Sequence, residues 1–197
     1  MSIETLEDID PSKSYTYADY YSWRFEERVE LIKGRVFHLP TPFRIHQATS
    51  GYIFIAIYNY LEDKEWELYS APFDVRFPTD SKDDKDIITV LQPDICVVCD
   101  LSKLDDRGCV GAPDIVIEIL SPGNNAKELK NKYEVYEESG VKEYWVVSPQ
   151  NNTFIVYTLI DGRYDASRLM VAGDVITSAI LPGFSLDLAA LFEHISK

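Results

Sequence analysis

The sequence has few cysteines, no long apolar run and few basic residues. Three cysteines in 197 residues are too few for the disulfide scaffold of a small secreted domain. No run of about eighteen apolar residues, the length that crosses a bilayer, is present. Residues 1–15 are polar and acidic, unlike a signal peptide. We therefore expect a protein of the reducing cytoplasm that has no membrane association.

The scarcity of basic residues limits the kinds of partner. Nineteen Lys and Arg stand against 33 Asp and Glu, which gives a net charge of −14. Such a charge repels polyanions at long range and argues against strong nonspecific DNA binding. The excess is uneven, since residues 62–107 contain 13 acidic and 6 basic residues. Phosphate binding would therefore need local bases and a divalent cation that neutralises the acids.

The apolar content is ample for one packed core. Hydrophobic residues make up 46% of the chain and aromatic residues 13%, and the length fits a single domain over 1–197. Apolar spacing predicts helices over 15–28, 46–63, 126–139 and 186–195. It predicts strands over 30–39, 68–77, 93–99, 113–120, 143–148 and 153–159, with shorter strand pieces in 163–185 and loops at 78–86 and 100–112. In the first of these strands Gly34 is expected at a turn or bulge. These elements indicate a mixed α/β (α+β) domain.

Glu118 is the most informative residue of the chain. It interrupts an apolar run, Ile115–Leu120, that is typical of a strand in the middle of a sheet. An ionised carboxylate in that setting costs roughly several kcal/mol unless a cation or hydrogen-bond donors meet it. A purely structural role, with the carboxylate satisfied by an Arg or by backbone, is the alternative.

Asp94 supplies a second carboxylate at the head of another apolar run. If residues 93–99 and 113–119 pair antiparallel, Asp94 lies opposite Glu118, where Cβ atoms are roughly 4.5–5.5 Å apart. Two such carboxylates repel one another unless a divalent metal bridges them. An Asp that follows Pro at a strand start is also a common turn element.

Lys132 is the third candidate. The predicted helix over 126–139, with Asn125 and Glu128 as a capping arrangement, directs Lys132 into the apolar arc between Val135 and Tyr136. An ammonium aimed inward needs an anion to meet. The alternative is a side chain that reaches outward to pair with Glu128 one turn back.

Together these residues suit phosphodiester hydrolysis. Mg²⁺ binds through one or two carboxylates and keeps several waters, which leaves positions for phosphate oxygens. The metal lowers the pKa of an attacking water, and a nearby lysine orients that water or stabilises negative charge. We expect Mg²⁺, or Mn²⁺ in its place, as the cofactor.

The motifs resemble those of the PD-(D/E)XK nucleases, and within them the stand-alone, restriction-endonuclease-like Uma-type family. The stretches that carry the resemblance span residues 29–149 and are Val29–Gly34, Gln92–Asp94, Gly111–Pro122, Lys132 with Tyr136, and Gly140–Trp145. The resemblance implies a restriction-endonuclease-like core, which is a mixed sheet flanked by helices, and a nucleic-acid substrate, most simply DNA.

The same resemblance assigns Asp94 and Glu118 as metal ligands and adds Glu30, an acidic residue that such nucleases often contribute to the metal site. The alternative for Glu30 is a solvated charge beside Lys33 and Arg28. One departure is present, because the position two after Glu118 is Leu120 and not lysine. The resemblance implies that the lysine has moved to the following helix, where Lys132 matches.

Other candidates have simpler explanations. Cys96 and Cys99 form a C-x-x-C pair, but a zinc site would need further ligands, so small buried residues are expected. His38 and His46 could approach the site, yet each is more often structural. The aromatic residues Tyr15, Tyr17, Tyr20, Tyr21 and Trp23 are expected in the core or in a dimer contact.

Two classes of function follow. The first is a metal-dependent endonuclease, for which a homodimer would suit double-strand cutting. The second is a catalytically inactive domain that has kept the fold and serves as a binding or assembly module. The acidic net charge favours the second class, whereas the buried Asp–Glu–Lys set favours the first because retaining it costs stability.

Overall fold

The computed structural model describes residues 3–122 and 126–197, without the side chains of residues 126–128. The helices within these residues are α1 (Tyr17–Ser22), α2 (Arg44–Leu61), α3 (Ala126–Ser139) and α4 (Leu188–Ile195). The strands are β1 (Val29–Ile32), β2 (Arg35–His38), β3 (Glu67–Ser70), β4 (Val75–Arg76), β5 (Val90–Leu91), β6 (Ile95–Val98), β7 (Leu104–Asp105), β8 (Gly108–Val110), β9 (Ile115–Ile119), β10 (Glu143–Ser148), β11 (Thr153–Ile160), β12 (Arg163–Ala166), β13 (Met170–Val171), β14 (Val175–Thr177) and β15 (Ser185–Asp187). The predicted mixed α/β (α+β) class is therefore confirmed.

The chain divides into two compact units, and the first surrounds a mixed sheet. It contains the described residues up to Thr41 together with Phe73–Gln92 and Lys103–Ala112. Its sheet has the strand order β2-β1-β5-β4-β8-β7, in which β4 and β8 are parallel. One buried hydrophobic cluster of this unit contains Tyr15, Tyr17, Leu31, Ile87 and Val90. Tyr15 and Tyr17 are thus core residues, as expected, while a single domain over 1–197 stays a prediction.

The second unit comprises Pro42–Pro72, Pro93–Ser102 and Pro113–Lys197. Its larger sheet has the order β12-β11-β10-β9-β6-β3, with β13 beside β11. β9 and β10 are parallel and are joined through α3, whereas β6 pairs with β9 antiparallel. This arrangement puts β9 in the middle of the sheet, as its apolar sequence predicts.

One face of this sheet packs on two helices. α2 buries Ile53, Ile57 and Leu61, which recur every four residues and so form one stripe. α4 buries Leu188, Leu191, Phe192 and Ile195, and its first turn is capped by the Asp187 carboxylate, which accepts hydrogen bonds from the backbone N–H groups of Ala189 and Ala190. Within the described residues, no helix has both the length and the apolar character needed to cross a membrane.

Two predicted segments were wrong. The strand predicted over 68–77 is two strands in different sheets, β3 and β4, because Pro72 has no amide N–H with which to continue the ladder. The loop predicted over 100–112 contains β7 and β8, joined by a tight turn at Asp105–Gly108. Gly108 has φ +125°, and a Cβ there would lie 2.2 Å from the Asp74 carbonyl oxygen, so only glycine fits this turn.

Helix boundaries were predicted with mixed success. α3 has the predicted limits, although the Asn125–Glu128 capping arrangement lies outside the described residues and side chains. α1 is much shorter than the predicted 15–28. Its N-cap residue is Thr16, whose hydroxyl oxygen accepts a hydrogen bond from the Asp19 backbone N–H, and the helix ends at Ser22. The predicted strand over 30–39 is a hairpin of β1 and β2, and the turn expected at Gly34 is confirmed, since Lys33 and Gly34 both have positive φ.

Candidate active site

Glu118 lies in β9 on the face that does not pack on α2 and α4. The odd-numbered residues Ile115, Ile117 and Ile119 belong to the core cluster on that helical side. Because side chains alternate along a strand, Glu118 points to the opposite side of the sheet. The Glu118 residue is only 7% exposed, so its charge requires partners within the protein.

Those partners come from α3. The Lys132 ammonium Nζ lies 3.0 Å from Glu118 Oε1, and the Tyr136 hydroxyl donates a 2.6 Å hydrogen bond to the same oxygen. Lys132 and Tyr136 are four residues apart and therefore share one face of the helix. The predicted inward orientation of Lys132 is confirmed, since this residue is only 4% exposed.

A second tyrosine, Tyr144, lies near this ion pair. The ring of Tyr144, on the neighbouring strand β10, lies 5.0 Å from the ring of Tyr136, centroid to centroid. Burial, followed by the negative charge of Glu118, raises the pKa of Tyr144 well above its usual value. The phenol of Tyr144 is therefore neutral across the physiological pH range and adds no charge to the site.

The Tyr136 hydroxyl has a measurable role in this arrangement. Tyr136→Phe removes one of the donors on Glu118 Oε1, and we expect the free energy of unfolding in urea to fall by about 1.5–3 kcal/mol. Tyr58→Phe is the matched control, because the Tyr58 residue is 62% exposed. Equal stability of the two variants would contradict the importance of the buried hydrogen bond.

Asp94 immediately precedes β6, and the predicted strand register is confirmed. Ile95 pairs with Ile117, Cys96 with Val116 and Val97 with Ile115, so one further step brings Asp94 level with Glu118. The Asp94 carboxylate Oδ2 accepts a 2.7 Å hydrogen bond from the Ile119 backbone N–H. The two acidic residues therefore occupy neighbouring positions at one end of the β6–β9 pair.

His46 contacts Asp94, although its sequence position favours a purely structural role. It lies in the first turn of α2 and is 8% exposed, and its Nε2 is 3.1 Å from Asp94 Oδ2. A signal was present in the sequence, because His46 is seven residues before Ile53 and so lies on the buried stripe of α2. His38, the other histidine considered, is exposed at the end of β2.

Glu30 lies in the first unit, where it is part of β1. The residue is 1% exposed, so the interpretation of Glu30 as a solvated surface charge was wrong. Its Oε1 accepts a 2.8 Å hydrogen bond from the backbone N–H of Gln92. The assignment of Glu30 as a metal ligand stays a prediction.

The donor set around Asp94 limits how a metal would be held. Among the described residues, no group of three or more His, Cys, Asp and Glu side chains is placed to bind an ion. Mg²⁺ does not require such a group, because it is commonly held by one or two carboxylates and keeps waters on its other positions. Asp94 and Glu118 fit this pattern. They do not fit a structural zinc site, which has four protein ligands. Cys96 is buried, as expected for a small apolar residue, whereas Cys99 is only partly buried.

The mixed sheet flanked by helices is a restriction-endonuclease-like fold, and the acidic pair lies at one end of its neighbouring strands β6 and β9. A similar solved structure is a "putative nuclease belonging to DUF820 from Anabaena variabilis ATCC 29413", with a TM-score of 0.73 and 18% identity over 92% of this chain and 99% of that one. At this identity the likeness shows the fold alone.

The model of the Uma2 family, whose description is "Putative restriction endonuclease", matches residues 17–189. The chain belongs to this family, which confirms the resemblance found in the motifs. No protein with a curated function matches the chain significantly. Family and fold together support a nuclease-like function.

Proposed function

We propose that this protein is a divalent-metal-dependent endonuclease that hydrolyses phosphodiester bonds, with DNA as its substrate. The observation that carries the proposal is the acidic pair at one end of β6 and β9, with the buried Lys132 ammonium 3.0 Å from Glu118 Oε1. Burying these charges costs stability, so the cost needs a functional reason. Hydrolysis at a metal ion supplies one.

Each residue has a distinct task in this proposal. Asp94 and Glu118 would hold Mg²⁺ or Mn²⁺, and Glu30 is proposed as a further acidic contributor on the basis of the family resemblance. When bound, the metal supplies a water of lowered pKa and neutralises charge on the phosphate. Lys132 pairs with the Glu118 carboxylate and orients it, and its ammonium offers a positive charge where the phosphate becomes more negative.

A second candidate is a catalytically inactive module that binds a partner or assembles. The net charge of −14 favours this candidate, because it opposes the approach of nucleic acid.

Homodimerisation and a cytoplasmic setting belong to the endonuclease proposal. The first suits cutting of two strands, and the second suits a chain with only three cysteines.

Calorimetric titration with Mn²⁺ distinguishes the two candidates. We expect the wild-type protein to bind Mn²⁺, and Glu118→Gln, which removes the charge and keeps the shape, to bind at least about tenfold more weakly. Glu193→Gln is the control, since the Glu193 side chain is 74% exposed on α4. The wild-type protein and this control should bind alike.

Absence of Mn²⁺ and Mg²⁺ binding to the wild-type protein would overturn the endonuclease proposal and leave the inactive module. If the metal binds, incubation with supercoiled plasmid and with single-stranded DNA tests for cleavage. Binding without cleavage of any nucleic acid would also favour the inactive module.

A further inference from the structure

The geometry around His46 goes beyond the residues that the nuclease motifs contain. α2 brings the imidazole to the Asp94 carboxylate, with Nε2 3.1 Å from Oδ2. The His46 side chain is 10% exposed and that of Asp94 is 19% exposed. The pair therefore lies at the edge of the buried region, where a ligand could still reach the carboxylate.

The contact defines which nitrogen of His46 carries a proton. A carboxylate oxygen only accepts hydrogen bonds, so Nε2 must be the N–H donor. The other nitrogen, Nδ1, is buried and has no hydrogen-bond partner among the described residues. A buried N–H without an acceptor is costly, so the tautomer with its proton on Nε2 is the one that fits these surroundings.

Two donors thus converge on one oxygen of Asp94. His46 Nε2 and the backbone N–H of Ile119 both reach Oδ2, the latter at 2.7 Å. Within the described part of the chain, Oδ1 accepts no hydrogen bond from a protein group. The carboxylate is therefore fixed through one oxygen and is open at the other.

We propose that His46 is a positioning residue, which holds Asp94 so that Oδ1 is the oxygen presented to a divalent cation. The inference rests on the proposed function, since it concerns the same metal site. Hydrogen bonds that orient a ligating carboxylate before the metal arrives raise metal affinity, and losing one typically costs about 10–100-fold. His46 would act through Asp94 and would not itself touch the cation.

Two substitutions separate the donor from the packing. His46→Leu removes the N–H and keeps an apolar side chain of moderate size, whereas His46→Gln restores an N–H donor at the end of the side chain. We expect His46→Leu to bind Mn²⁺ about 10–100-fold more weakly in calorimetry, and His46→Gln to recover most of this loss. His38→Leu, at the exposed histidine of β2, should bind like the wild-type protein.

A readout without metal tests the same contact directly. The Ile119 amide should exchange its hydrogen faster in His46→Leu than in the wild-type protein, because Asp94 Oδ2 is then held by one donor instead of two. His46→Gln should restore its protection. Thermal unfolding of each variant establishes that the fold is intact, and the Gln variant remains informative if the Leu variant does not fold.

The outcomes distinguish this inference from the proposed function. If the wild-type protein binds no Mn²⁺, the metal site and the proposed function both fail. If the wild-type protein binds Mn²⁺ and folded His46→Leu binds it equally well, only the positioning role is overturned. Nitrogen coupling from an imidazole in the electron-spin-echo spectrum of bound Mn²⁺ would make His46 a ligand, which also overturns the positioning role.

Discussion

Asp94→Asn is expected to reduce plasmid cleavage by at least about 10²–10³-fold at saturating Mn²⁺, the range seen when one charge-stabilising group is removed from an active site. The substitution keeps the size of the side chain but replaces one carboxylate oxygen with an NH2 group, which makes the side chain a neutral amide. An amide carries no charge to offset the cation. Conversion of supercoiled to nicked and linear DNA over time measures the effect.

The control for this experiment is Asp165→Asn. Asp165 is exposed on β12, so its charge can be removed without altering a buried carboxylate. Both variants lose one negative charge, and a difference between them therefore cannot arise from the net charge alone. Full activity in Asp94→Asn would contradict the proposed metal site.

Lys132→Met is expected to lower the free energy of unfolding by about 3–5 kcal/mol, because removing one member of a buried ion pair leaves the other inadequately compensated. Glu118 would keep the Tyr136 hydroxyl but lose the ammonium. Cleavage should fall as well, by about 10²–10³-fold if the ammonium stabilises charge on the phosphate. Urea unfolding followed by fluorescence measures the first effect.

Two companion variants sharpen this prediction. Lys130→Met is the control on the same helix, because the Lys130 side chain is 73% exposed and its pairing with Glu134 is on the surface. The double variant Glu118→Gln with Lys132→Met should be more stable than Lys132→Met alone, since neither charge then remains buried. A double variant as unstable as the single one would mean that Lys132 contributes packing and not charge.

Much of the site could be predicted because it breaks an apolar pattern. Glu118 within Ile115–Ile119 and Lys132 within the apolar arc of α3 are both charged groups where burial is expected, and such exceptions point to a function. The antiparallel register also follows from the sequence, because the loop returns the chain to an adjacent strand. The confirmed pairing of Ile95 with Ile117 depends on that simple topology.

The first unit was harder to predict for a physical reason. Its strands β4, β5, β7 and β8 have only two or three residues, which is too short for alternation to be recognised. β7 and β8 form a local hairpin, but other pairings of these strands join distant segments, such as β4 with β8, and no local pattern reveals those. His46 was underrated for a different reason, since its partner Asp94 is 48 residues away in sequence.

The chain has two Pro-Asp pairs that precede strands, Pro93–Asp94 and Pro113–Asp114, and their carboxylates have different surroundings in the structure. Asp114, in Pro113–Asp114, is 3% exposed and receives hydrogen bonds from Lys142 Nζ at 2.6 Å and the Cys99 backbone N–H at 2.8 Å. Each oxygen of the Asp114 carboxylate accepts a hydrogen bond from a different donor. Asp114 is therefore a structural carboxylate, which ties Cys99 and Lys142 to the start of β9. The sequence alone gives little to distinguish it from Asp94.

The lysine of the site belongs to α3 and not to β9. The position of its ammonium therefore depends on how α3 is rotated about its own axis. A strand residue two positions after Glu118 would be fixed to it by the backbone, whereas Lys132 approaches across the space between helix and sheet. One residue of an α-helix corresponds to a rotation of about 100°, so a single insertion between Lys132 and the buried Tyr136 would turn the ammonium away from Glu118 while the Tyr136 hydroxyl kept its place. The four-residue spacing between Lys132 and Tyr136 is thus under tighter constraint than a spacing on the exposed face of α3 would be.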